Sequence, residues 1–143
     1  MEEIKISAFE LEKAMQAVNI EINGAAVEAM NEASEEVGKE ALKMVKEDSP
    51  VRTDNVQRKK PPGSYKKGWN MTHDKAAAAK GINTTIYNAT DYRLTHLLEF
   101  GHLTKTGKRT RPQPHISTAN EYVHKTLPQE ILKRINEKLG GET

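Results

Sequence analysis

The chain has 143 residues, of which 36% are hydrophobic, 5% aromatic and 29% charged, a length that suits one domain and a composition that suits a modest aliphatic core rather than a thick, ring-filled sandwich. There is no cysteine, which excludes disulfides, thiolate metal sites and a cysteine nucleophile. The formal net charge of +2 conceals a polarised chain, because residues 1–50 hold 5 Lys or Arg against 12 Asp or Glu whereas residues 51–115 hold 13 against 4.

No apolar run approaches the roughly 20 residues needed to cross a bilayer, and Met1-Glu2-Glu3-Ile4-Lys5 lacks the basic start and apolar stretch of a signal peptide. Synthesis in a cytosol and no membrane partner are expected. Residues 2–6 alternate polar and apolar as a short edge strand would, and Ser7 stands where a helix cap is wanted. Over residues 8–48, Leu11, Met15, Val18, Ile22, Ala25, Ala29, Ala33, Val37, Ala41, Met44 and Val45 recur mostly every three or four positions, which predicts one long helix. Such a helix would extend roughly 60 Å at 1.5 Å per residue, so it must protrude or meet neighbours. Asn23-Gly24 is the expected place for a bend, and Ser49-Pro50 the expected stop.

Residues 50–63 read as a basic loop with proline punctuation. Two strands are expected at 65–70 and 81–88, the second carrying the β-favouring run Ile82-Asn83-Thr84-Thr85-Ile86-Tyr87. Between them, residues 73–80 with their four alanines suit either a helical turn or the arm of a hairpin. A short helix is expected over 91–100, stopped by Gly101; a second basic loop follows over 102–114, and a final helix over 116–139, which Pro128 should kink or divide. The sum is a single α+β domain: long N-terminal helix, small antiparallel sheet, short middle helix and C-terminal helix, without internal repeats.

The chemical constellations are sparse. His96, Glu99 and His102 are spaced by three, but Gly101 ends the helix that would align them for a metal, and the pattern is not the zinc-peptidase His-Glu-x-x-His. A nuclease would need two or three carboxylates on a metal, and no spacing pairs Asp54, Asp74, Asp91 and Glu99. Phosphate-cradling glycine loops, a nucleophile elbow and a dinucleotide fingerprint are missing, which disfavours catalysis. Two basic clusters, Arg52, Arg58, Lys59, Lys60, Lys66 and Lys67 with Tyr65, and His102, Lys105, Lys108, Arg109 and Arg111, have three readings: solvated loops, phosphate contacts with Tyr65 and Trp69 as stacking rings, or an interface for the acidic helix of another subunit. Trp69, Tyr87, Leu97, Leu98, Phe100 and Ile116 are expected in the core.

Taken in order, Ser49-Pro50-Val51-Arg52-Thr53, Pro62-Gly63-Ser64-Tyr65-Lys66-Lys67-Gly68-Trp69, Ile86-Tyr87-Asn88, Tyr92, Leu98-Glu99-Phe100-Gly101-His102 and Pro114-His115-Ile116 form a series. It resembles the neck or tail-completion family of long-tailed double-stranded-DNA bacteriophages, typified by gene product ten of phage Hong Kong 97. In that family Thr-Gly often follows the Ser-Pro-Val element, and Thr53-Asp54 stands here instead. The resemblance implies a structural virion subunit, made in the bacterial cytoplasm, that assembles as a ring joining head connector to tail, with no enzyme activity and no cofactor. Its implied partners are its own copies and the head-closure or connector and tail-terminator or tail-tube proteins, with non-specific contact to DNA in the channel. A small nucleic-acid-binding protein using the basic middle is the alternative from another class.

Overall fold

The computed structural model describes residues 8–52, 60–75 and 83–140; within the first helix the side chains of 8–15, 18, 20 and 22 lie outside that description. The expected strand over 2–6 therefore falls outside the described residues, as do Asp54, Arg58, Lys59 and most of the undecided stretch 73–80. Helix α1, Ala8–Asp48, runs 41 residues in one piece, about 62 Å by its rise. It passes Asn23-Gly24 without a break, since the cost of one glycine is spread against strong helix formers on either side, Ala17, Ala25 and Ala26 among them. It stops at the expected place, where the Ser49 hydroxyl turns back to donate to the Val45 carbonyl and Pro50 removes the next donor.

Helix α4, Ile116–Lys138, lies antiparallel on the C-terminal half of α1. Along α1 the buried residues Ala29, Ala33, Val37, Ala41 and Val45 follow one another at intervals of four, a ridge whose alanines let a second helix approach closely. The contact ends in charge: Lys138 Nζ lies 3.3 Å from Glu28 and 2.9 Å from Glu32, and Arg134 binds Glu32 and Glu36. Part of the acidic surface expected to meet another subunit is thus matched within the chain. Pro128 neither divides α4 nor ends it; residues 124 and 128 are both exposed, so the hydrogen bond it removes lies on the solvent side of the helix.

The sheet has two antiparallel strands, β1 Trp69–His73 and β2 Thr84–Asn88, paired from Trp69 opposite Asn88 to His73 opposite Thr84. Trp69, Met71 and His73 alternate inward on β1, and Thr84, Ile86 and Asn88 on β2, following the period of two. The strand expected over 65–70 is corrected: Ser64–Lys67 is instead a single helical turn, α2, and the strand begins only at Trp69. Gly63 opens that turn at φ 87°, and Gly68 closes it by donating to the Ser64 and Tyr65 carbonyls. A Cβ at Gly68 would lie 2.0 Å from the Thr90 hydroxyl, so only glycine lets the turn sit against the 88–91 corner.

Helix α3 spans Leu94–Phe100. The loop expected over 102–114 carries a small β-turn unit, in which Leu103 pairs with Arg109 and the Thr104 N–H donates to the Lys108 carbonyl at 2.7 Å. The core joins Ala41, Val45, Tyr65, Trp69 and Ala119, with Ile86, Leu98 and Ile116 packed against it. Three expected core residues do not belong to it, for Tyr87, Leu97 and Phe100 are 38%, 37% and 57% exposed. Tyr87 takes the outward side of the strand period, and Leu97 and Phe100 occupy the face of α3 opposite Leu98 and Glu99.

Two glycines should respond in opposite directions. Gly101 has φ 74°, and a Cβ there would lie 2.6 Å from the Thr110 carbonyl oxygen, so Gly101→Ala is expected to lower unfolding free energy by about 2 kcal/mol or more in urea titrations. Gly24 is helical with nothing within 4 Å of such a Cβ, so Gly24→Ala should raise it by up to about 1 kcal/mol.

Candidate functional site

Helix α4 begins without a local cap: His115 precedes it and makes no side-chain capping bond, although the first N–H groups of any helix need acceptors. The acceptor comes from α3. Glu99, 6% exposed, takes N–H bonds from His115 at 2.7 Å and Ile116 at 2.9 Å on one oxygen and from Ser117 at 3.0 Å on the other. Burial alone would raise its pKa, but these three donors, with His115 beside it, hold the carboxyl below its ordinary value. The positive end of the helix dipole acts in the same direction.

From this cap a chain of buried polar contacts crosses the domain. His115, fully buried, has Nδ1 at 2.8 Å from the Gln113 carbonyl and 3.1 Å from Glu99. Both neighbours are acceptors, so Nδ1 carries the proton and Nε2 receives the Tyr65 hydroxyl at 2.6 Å. Burial first, and then the charges of Glu99 and Asp91, push the Tyr65 phenol far above its usual range, which keeps it a donor. The Tyr65 ring meets Trp69 edge-on at 5.7 Å, and Trp69 Nε1 donates to the Ser49 hydroxyl at 2.7 Å. Asn88, buried, donates to the Tyr65 carbonyl and receives the N–H of Asp91.

These contacts set residues 50–52 and 60–63 beside the 102–113 segment around an open groove of about 710 Å³, whose lining includes Arg52, Lys60, Tyr65, Leu98 and His102. Lys60 reaches across to Asp91 at 2.8 Å, and that hydrogen bond is the main reason the Asp91 carboxyl sits below its ordinary value. Of the remaining expected interface residues, Lys66 is half-buried, Lys67 is exposed, and Lys105, Lys108, Arg109 and Arg111 are exposed on or just beyond the 103–109 turn. Tyr65, expected at an interface, is instead 6% exposed and belongs to the buried network beneath it. It sits there because α2 is a helical turn rather than a strand, which points its ring into the domain.

Among the described residues the histidines and carboxylates weighed from sequence lie apart, and Asp54 falls outside them. Glu99 is occupied by α4, His96 is exposed with its ring tilted against Phe100 at 4.9 Å, and His102 lies against Thr110; among the described residues no three His, Asp or Glu side chains come together as metal ligands. Sequence reasoning missed Glu99 as a cap and His115 as a buried relay. The available signal was a helix start, Pro114-His115-Ile116, with no Ser, Thr, Asp or Asn at the cap position, in a segment with one carboxylate set among apolar residues. No protein-family model, curated protein or solved structure matches the chain.

Because the folded Glu99 carboxyl titrates below its ordinary value near 4.5, its contribution is present above that value and is lost as pH falls through the lower folded one. Glu99→Ala is expected to cost about 3 kcal/mol at neutral pH, and Glu99→Gln to flatten the acid limb of stability against pH, both read by urea unfolding between pH 3 and 7, on the order of the range where carboxylates titrate. Tyr65→Phe, which leaves His115 Nε2 without its donor, should cost about 1–3 kcal/mol.

Proposed function

We propose that the chain is a structural neck or tail-completion protein of a long-tailed phage or prophage, one that assembles as a ring between head connector and tail. One observation carries this reading. The residues at the centre of the motif series, Ser49, Tyr65, Trp69, Asn88, Glu99 and His115, are separated by as many as 66 positions in the sequence yet form one buried set in space. A series of weak motifs that converges on one structural network supports a shared architecture more than chance similarity. The network is saturated by its own bonds, so it serves to hold surfaces rather than to perform chemistry.

The length of α1 supports the same reading. Lys138, at the end of α4, pairs with Glu28, so about 20 residues of α1, roughly 30 Å by helical rise, extend beyond that partner, and Gln16, Ala17, Asn19, Glu21, Asn23 and Gly24 are exposed there. A subunit completed by its neighbours is built this way. The groove between the loops and the basic turn beside it are the surfaces offered to connector or tail-tube proteins, and passing DNA would meet their backbone-directed charge without base readout.

The reading is tested by light scattering and negative-stain electron microscopy of the purified chain, alone and with portal and tail-tube proteins from the same genome. Rings or a co-migrating complex are the expected result; a monomer at every concentration that binds neither partner overturns it. The placement of Lys105, Lys108, Arg109 and Arg111 within seven residues, all exposed, favours the second reading, a nucleic-acid-binding protein. For that reading, four cations on phosphates would give log affinity for duplex DNA a slope of about −3.6 against log salt. Micromolar binding with that slope and no self-assembly would favour it, and a near-flat slope would remove it.

A further inference from the structure

Helix α3 turns Leu98 and Glu99 inward and leaves an apolar stripe outside. Leu94, Leu97 and Phe100 recur every three residues and are 40%, 37% and 57% exposed, and Leu103, just beyond, is 68% exposed. The stripe is bordered by cations: Arg93 lies over the Tyr92 ring at 5.7 Å, and Arg109, paired with Leu103, donates to the Phe100 carbonyl. An apolar helical face with basic edges fits a helix that is apolar with acidic edges.

This chain contains such a helix. In the sequence, Leu11, Met15, Val18 and Ile22 continue, at helical spacing, the stripe that α4 covers from Ala29 onward, and Glu10, Glu12 and Glu21 accompany them against one Lys13. Glu21 is exposed and, unlike Glu28, Glu32 and Glu36, lies beyond the reach of α4's Arg134 and Lys138 as those side chains are paired. A copy cannot seat this arm on its own α3. Leu98 packs in the cluster that contains Val45, and the unbroken helix separates residue 21 from residue 45 by about 36 Å.

We propose that the N-terminal arm of α1 docks on the α3 stripe of a second copy of this chain. The two surfaces are different and sit at opposite ends of a stiff rod, so the contact is heterologous and propagates head to tail, closing into a ring or running on as a filament. The proposal deepens the ring reading and rests on it, naming the surfaces through which copies meet.

Because the chain has no cysteine, introduced thiols report the contact directly. The full-length double variant Val18→Cys with Leu97→Cys, each on a face that the contact joins, should give a ladder of disulfide-linked multimers under mild oxidation. An equimolar mixture of the two single variants should stop at dimers, and Val18→Cys with Leu132→Cys, which places the second thiol on exposed α4, should give no ladder. As a second measurement, Arg93→Glu with Arg109→Glu, and separately Glu21→Lys, should each raise the concentration at half-assembly by about tenfold or more, and mixing the two variants should restore assembly. Wild-type chain that assembles in light scattering while the Leu97 pair gives no ladder overturns this contact and leaves the ring reading standing. Wild-type chain that remains monomeric at every concentration overturns this contact, and overturns the ring reading as well when it binds neither portal nor tail-tube protein.

Discussion

Three backbone N–H groups at the start of α4 end on one carboxylate, that of Glu99 from α3, and most of what is specific about this fold follows from that bond set. A helix start buried without acceptors would be strongly unfavourable, so α3 must lie where its Glu99 can reach, and the 101–115 segment must return the chain to that point. Gly101 makes the return possible with a backbone geometry that places it against the Thr110 carbonyl. His115, held between Glu99, the Gln113 carbonyl and Tyr65, then ties α4's first turn to α2, and Trp69 with Ser49 carries the tie to the end of α1. The result is a polar seam running through an otherwise aliphatic core, every member of it satisfied, which is the condition under which buried polar groups specify a single arrangement.

At the other end of the molecule the forces are different. The α1–α4 contact is a ladder of small aliphatic side chains finished by ion pairs whose carboxylates are substantially exposed: Glu36 and Glu28 are each 70% exposed and Glu32 47%. Pairs of that kind orient more than they stabilise, and it is the packing of Ala29, Ala33, Val37, Ala41 and Val45 that holds the two helices. Stability is thus concentrated near Tyr65, Trp69 and Ala119, where three elements converge. Toward residue 16 the described side chains at 16, 17, 19, 21 and 23 are exposed.

The surface chemistry divides in the same way. The groove has Tyr65 of the polar seam in its lining; beside it Lys60 is held by Asp91, while Lys105, Lys108, Arg109 and Arg111 are exposed. The apolar stripe of α3 exists because the same helix must present Glu99 inward; with only seven residues, turning Leu98 and Glu99 to the interior leaves Leu94, Leu97 and Phe100 on the far side.

The long helix, its stop at Ser49-Pro50, the second strand, the short helix ending at Gly101 and the final helix were legible in the sequence, because apolar period and proline or glycine punctuation are local properties. The turn at Ser64–Lys67 was not, since its geometry depends on Gly68 fitting under Thr90, a contact 22 residues away. Nor were the roles of Leu97 and Phe100, for periodicity shows that a helix has an apolar side but cannot say which side a distant N–H set will claim. Composition and pattern by themselves determined an α+β chain with a helix too long for its own body, no thiol chemistry and a basic middle. Only the tertiary structure decided that Glu99 caps α4 and that Tyr65 is buried, because those outcomes follow from hydrogen-bond needs arising between elements that are remote in the chain and adjacent in space.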